Sequence, residues 1–229
     1  MRTAVRAAAA TRDRMVLHAL LLLAVIIAGP ASAQRVGPNV PGDFDYYVLA
    51  LSWSPSYCEA EATTADRLQC GGERPYHFVV HGLWPQYHRG WPEFCRSGQL
   101  AVPEQTVRNM LDIMPSPDLV RHQWQKHGTC SGLSAESYFA LVRRARERIA
   151  IPPAFQSIDR HVMVAPQDVE NAFRTANPGL PADAIAVTCD HRRLREVRIC
   201  LDRTLRYAAC PAVDSRACRL DRAVMPPVR

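Results

Sequence analysis

The chain has 229 residues, 28 lysines and arginines against 22 aspartates and glutamates, and eight cysteines. That length suits one domain with a full hydrophobic core, and the surplus of six positive charges permits a polyanionic ligand without identifying one. Beyond the first apolar run, no segment approaches the about 20 apolar residues that a spanning helix needs, which excludes a later transmembrane helix.

Arg2, Arg6, Arg12 and Arg14 precede the run MVLHALLLLAVIIAG, and Ala31-Ser32-Ala33 has the small-residue pattern of a signal peptidase site. Residues 1–33 are therefore expected to be a signal peptide cleaved after Ala33, with Met15 an alternative start. An uncleaved anchor is the competing reading, but His18 interrupts the run. Residues 34–229 keep 24 basic and 21 acidic residues and are expected to form a single domain, periplasmic or secreted, with no membrane attachment. All eight cysteines lie in this part. An even number in an exported chain points to as many as four disulfides, and no C-x-x-C pair suggests zinc.

Residues 34–43 read as a loose Gly- and Pro-containing leader. The aromatic and β-branched stretch 44–53 is expected to be a central strand and 76–82 another, separated by a polar loop ending in Gly71-Gly72. Helices are expected over 103–113 and 116–128, the second with Ser116 as N-cap, Pro117 in its first position and Gly128 just past its end. In 134–149, Tyr138, Leu141, Val142, Ala145 and Ile149 form one apolar stripe, and the arginines read as a solvated face. A short helix over 165–179 stops at Asn177-Pro178. Residues 184–190 and 194–202 alternate as a hairpin, and the C-terminal tail looks irregular and disulfide-tied. The mixed order implies an α+β fold.

Of the 28 basic residues only one is lysine, Lys126, and it stands in HQWQKHGTC between two histidines. On a helix, Lys126, Gln123 and His127 fall at about 40°, 100° and 140° from His122, so these four share one side, while Trp124 and Gln125 point elsewhere. The histidines are five apart and miss the i, i+4 register of helical metal ligands, so the cluster suits an anion better than a metal. In HFVVHGLWPQY, Phe78 and Val80 would face one side of a strand and His77, Val79 and His81 the other, with Gly82 allowing close approach of a ligand to the backbone. A lone strand-end histidine is usually structural; a second histidine-bearing motif changes that balance.

FVVHGLWPQY and HQWQKHGTC resemble the two active-site segments of the ribonuclease T2 family. YYVLALSWSPSYC, VENAFRTANPGL and the four C-terminal cysteines extend the similarity over nearly all of 44–218. The resemblance implies a single α+β domain with a central antiparallel sheet packed by helices, and a metal-independent endoribonuclease, monomeric, with no cofactor and RNA as its partner. RNA carries its own nucleophile, the ribose 2′-hydroxyl, beside the phosphate it attacks. Such an enzyme needs a base, an acid and positive charge for the phosphorane. The resemblance assigns His127 as base, His81 as acid, His122 to phosphate binding and Lys126 to transition-state stabilisation. Trp84 is similar to a base-stacking residue, and Tyr87 or Tyr57 offers a second aromatic surface; each aromatic has an alternative reading as core. The implied pairings are Cys58–Cys70, Cys95–Cys130, Cys189–Cys218 and Cys200–Cys210, among the 105 that eight cysteines allow.

Two positions depart from the family pattern. Gln123 stands where a glutamate is usual, and losing one charge-linked hydrogen bond is worth about 1.5–3 kcal/mol. Slower catalysis is therefore expected, and a weakened or inactive RNA-binding or signalling protein is the alternative. Gln86 stands where some relatives carry an acidic base-reading residue. With Gln125 also neutral, nothing acidic accompanies the cations within the motif, so nearby positive charge is expected to lower the histidine pKa values. A compact ammonium differs from arginine's planar fork. Lys126→Arg is thus expected to lower turnover on RNA, and full retention of kcat would refute a role specific to lysine.

Overall fold

The computed structural model describes residues 39–71 and 74–228. The expected signal peptide, the first part of the leader and Gly72 lie outside these residues. In chain order the elements are β1 (Tyr46–Trp53), α1 (Ser54–Glu61), α2 (Arg67–Cys70), β2 (Phe78–Gln86), α3 (Glu104–Met110), α4 (Pro117–Lys126), α5 (Ala135–Glu147), β3 (Val162–Val164), α6 (Pro166–Ala176), β4 (Ile185–Cys189), β5 (Leu194–Leu201), α7 (Pro211–Asp214) and β6 (Ala223–Met225). Among the described residues no helix is long and apolar enough to cross a membrane.

The main sheet has the order β2-β1-β5-β4, antiparallel throughout. Alternation along the strands divides its two faces. Leu49, Leu51 and Trp53 of β1, Val80 and Leu83 of β2 and Val197, Ile199 and Leu201 of β5 enter one core with Val120 and Trp124 of α4, Tyr138 and Val142 of α5 and Phe173 of α6. The opposite face carries a smaller cluster that includes Tyr46, Val48, Ala186 and Cys200. On that second face lies the polar cleft.

The helices expected over 103–113, 116–128, 134–149 and 165–179 correspond to α3, α4, α5 and α6, and the strands expected at 44–53, 76–82, 184–190 and 194–202 to β1, β2, β4 and β5. Ser116 caps α4 by accepting from Leu119 N at 3.2 Å, with Pro117 in the first turn. The helix stops at Lys126, however, and Gly128 opens a 3₁₀ turn, Gly128–Ser131. Gly128 is required there because a Cβ would meet the Trp124 and Tyr138 rings at 2.4 and 3.0 Å. The expected loop after β1 contains α1 and α2, pinned by Cys58–Cys70. The tail is less irregular than expected: β6 pairs with β3 in a two-stranded sheet. All four expected disulfides are present. Cys95–Cys130 closes a sequence separation of 35, and a loop of that size restricts the unfolded chain by about 4 kcal/mol. It also ties the segment after β2 to the end of α4, where Phe94 N donates to Lys126 O at 2.8 Å.

Candidate active site

The position of His81 follows from an irregularity in β2. Ala50 pairs with Gly82 and Leu51 with Val80, so His81 is the extra residue of a β-bulge. The bulge resets the alternation. Phe78 and Val80 face the core before it and Leu83 after it, while His81, Trp84 and Gln86 line the cleft. Pro85 is tolerated in β2 because this is an edge strand, which has no ladder partner on its outer side.

Helix α4 brings the second segment. His122, Gln123, Lys126 and His127 all line the same cleft of about 270 Å³. Trp124 is fully buried and its Nε1 donates to Gln99 O at 3.1 Å, so it anchors the helix. His127 sits just past the last helical residue, still in right-handed backbone geometry, with its amide donating to Gln123 O at 3.0 Å. The two segments meet through one bond: Trp84 Nε1 donates to Gln123 Oε1 at 2.7 Å. Gly82 makes that contact possible, since a Cβ there would lie 2.2 Å from Gln123 Oε1 and 2.3 Å from Trp84 Nε1. The space expected for a ligand at Gly82 is therefore filled by these side chains instead.

The Trp84 indole touches both imidazoles, with centroids 5.2 Å from His81 and 5.4 Å from His127. The environments of the two rings differ sharply. His127 is 7% exposed, and burial, followed by the charges of Lys126, His81 and His122, pushes its pKa down to about 3. Its Nδ1 is buried with no hydrogen-bond partner among the described residues, which leaves Nε2 to exchange a proton. Burial first and Lys126 second also lower the pKa of His122. Positive charge thus acts as expected, but behind desolvation.

His81 instead has a carboxylate behind it. Its Nδ1 lies 2.5 Å from Glu196 Oε1, and Arg198 donates to the other oxygen of Glu196 at 2.9 and 2.7 Å. Burial opposes ionisation of Glu196, but the hydrogen bond and charge of His81, together with Arg198, outweigh it and hold the carboxyl at about 2. The site also has an acid beside Lys126, whose Nζ is 3.7 Å from Glu93 Oε2. The motif's neutrality therefore does not extend to its surroundings.

Of the residues singled out from sequence, Trp84 and Gln86 stand in the cleft with the four α4-segment residues and His81. Tyr57 lies on an adjoining cavity of about 490 Å³ that shares His81 with the first. Tyr87 is not brought in: its ring packs against the main core and its hydroxyl is buried. Sequence reasoning missed Glu196, Arg198, Trp91 and Arg216. The signal for the first two was present, because alternation in LREVRICL places Glu196 and Arg198 on one face of a strand flanked on both sides. Trp91 and Arg216, stacked with 5.2 Å between guanidinium carbon and ring centroid, come from segments without periodicity.

Among solved structures, the RNase-related protein from Calystegia sepium matches with a TM-score of 0.64 at 20% identity, covering 81% of this chain and 98% of that one. A structure of RNase NT in complex with 5′-AMP matches at 0.55 and 23% identity, over 74% and 91%. The fold is that of the T2 and S-like ribonucleases. In sequence, the model of the ribonuclease T2 family matches residues 44–210. A ribonuclease of Aeromonas hydrophila is 36% identical over 188 residues, 80% of this chain and 84% of that one. A probable ribonuclease of Haemophilus influenzae is 35% identical over 131 residues, 52% and 48% of the respective chains. The chain belongs to the ribonuclease T2 family and is a T2-type endoribonuclease.

Two predictions follow the geometry. Gly82→Ala is expected to break the Trp84–Gln123 bond and to cost about 1–3 kcal/mol of stability through overpacking; a denaturant midpoint and activity equal to wild type would refute the tight fit. His127 has a folded-state pKa of about 3 against an ordinary 6.5, so the unfolded chain binds that proton more readily. The stability contributed by the neutral ring is complete above about pH 6.5 and is lost as pH falls toward 3. His127→Gln is accordingly expected to flatten the decline of Tm between about pH 6.5 and 5, with unchanged slopes as the contrary result.

Proposed function

We propose that the cleft cleaves single-stranded RNA by metal-independent transphosphorylation. His127 Nε2 takes the proton of the 2′-hydroxyl as the 2′-oxygen bonds to phosphorus. His81 delivers a proton to the 5′-oxygen as the P–O5′ bond breaks. Lys126 stabilises the charge that develops on the phosphorane, and His122 binds the phosphate from the exposed side of α4. The products are 2′,3′-cyclic phosphates, converted more slowly to 3′-phosphates by water.

The observation carrying this reading is the pair of imidazoles on one indole in opposed environments. One is buried and held neutral, as a base must be before reaction; the other has a carboxylate against its Nδ1. A ring held neutral suits the base, and a ring with a carboxylate on Nδ1 and a free Nε2 suits the acid. Trp84 and Trp91 offer stacking surfaces on the 2′-hydroxyl side, with Gln86 between strand and cleft as a hydrogen-bonding group for the base. Tyr57, across His81, suits the departing nucleotide. Four disulfides favour an oxidising compartment, periplasm or medium, over the cytosol.

One observation favours a weaker catalyst that retains RNA binding. Gln123 is buried and uncharged, and its carbonyl oxygen is occupied by Trp84. Incubating the protein with RNA in EDTA separates the readings. Cyclic phosphate ends are expected, with loss of at least about 100-fold in His127→Ala, within the range that a positioned base supplies. RNA bound but left intact would support the binding protein, and activity abolished by EDTA alone would overturn metal independence.

A further inference from the structure

Glu196 has no part in the proton transfers above, yet it is among the most constrained charged groups of the described residues. It is 7% exposed and lies on β5, opposite Ser52 of β1 and Thr188 of β4. One carboxylate oxygen meets His81 Nδ1 at 2.5 Å and the other receives two bonds from the Arg198 guanidinium. That guanidinium also lies over the Trp84 ring, 5.2 Å from its centroid. Two neighbouring strands, a bidentate arginine and an indole therefore hold the carboxylate in place.

Stability alone explains this arrangement poorly. Taking a carboxylate out of water costs several kcal/mol, and apolar replacements for buried ion pairs are often as stable or more so. The arrangement makes chemical sense through the third member. An ionised carboxylate can only accept, so the proton between it and His81 is on Nδ1. The ring is then fixed in one orientation, and Nε2 is the nitrogen free to carry and release a second proton. An acid behind an imidazole sets tautomer and direction in this way wherever a histidine must transfer protons through one chosen nitrogen.

We infer that Glu196, clamped by Arg198, is a positioning residue for His81 that keeps Nδ1 protonated and aims Nε2 at the departing oxygen. This rests on the proposed role of His81 as proton donor. It also identifies the carboxylate that serves the proton donor in a site whose helical motif, with Gln123 and Gln125, contributes none.

The test compares two substrates that differ in their need for a proton donor. In an RNA dinucleotide the leaving group is a sugar alkoxide; in a nucleoside 3′-(4-nitrophenyl phosphate) it is a stable phenolate that departs unprotonated. Glu196→Gln is expected to lower kcat on the dinucleotide by at least about 10-fold, part of the 10²–10⁴-fold that a positioned acid supplies, with KM little changed. Cleavage of the nitrophenyl ester should be nearly unaffected. Glu196→Asp keeps the charge and the bond to Arg198 but shortens the reach, and should show the same selective loss if the glutamine variant folds poorly. In a His81→Ala background, Glu196→Gln should cost nothing further on the dinucleotide. Equal losses on both substrates, or an undiminished rate on the dinucleotide, would overturn the positioning role while leaving the ribonucleolytic reading intact. A wild-type protein inert on both esters would overturn that reading itself.

Discussion

The single extra residue in β2 is the constraint on which the site depends. Without it, strict alternation would send either His81 or Trp84 into the core, because three positions separate them and the strand's period is two. By leaving His81 unpaired opposite the Ala50–Leu51 step, the bulge lets His81, Trp84 and Gln86 look toward one cleft while Phe78, Val80 and Leu83 remain in the core. The edge location of β2 then matters. With no further strand beyond it among the described residues, the end of α4 can bring His122, Gln123, Lys126 and His127 to the same cleft.

Charge in the cleft is arranged by position more than by composition. Positive groups gather on α4, where burial, with their charge behind it, keeps His127 neutral. Negative groups arrive from elsewhere in the chain: Glu93 from the loop after β2, beside Lys126, and Glu196 from β5, beside Arg198 and the His81 ring. The two histidines thereby sit in different surroundings, one buried and one backed by a carboxylate, with the Trp84 ring in contact with both. The Cys95–Cys130 bridge and the Phe94–Lys126 backbone bond fasten the far end of this arrangement.

Much of this could be read from the residues themselves. An apolar stripe at helical spacing marked α5, Ser116-Pro117 marked where α4 begins, and Asn177-Pro178 marked where α6 ends. Helical geometry put His122, Gln123, Lys126 and His127 of HQWQKHG on one side, even though His127 lies one residue beyond the helix. The failures have physical causes. Gly82 and Pro85 are strand breakers in isolation, so β2 was expected to end at 82; a bulge and an edge position accommodate both. Strands of three residues such as β3 and β6 carry too little periodicity to stand out. The partnership of Glu196 with His81 joins positions 115 apart, a pairing that only the sheet order creates.

The bond between Trp84 and Gln123 has one more implication. Gln123 is packed against Gly82 with no slack, yet a glutamine and a glutamate have nearly the same shape, and the atom that Trp84 grips is an oxygen in either. The amide is therefore an isosteric neutral stand-in. An acid placed at this position would enter a cavity already moulded to it, so the difference between the two forms of the enzyme reduces to one unit of charge and the exchange of an amide donor for an acceptor.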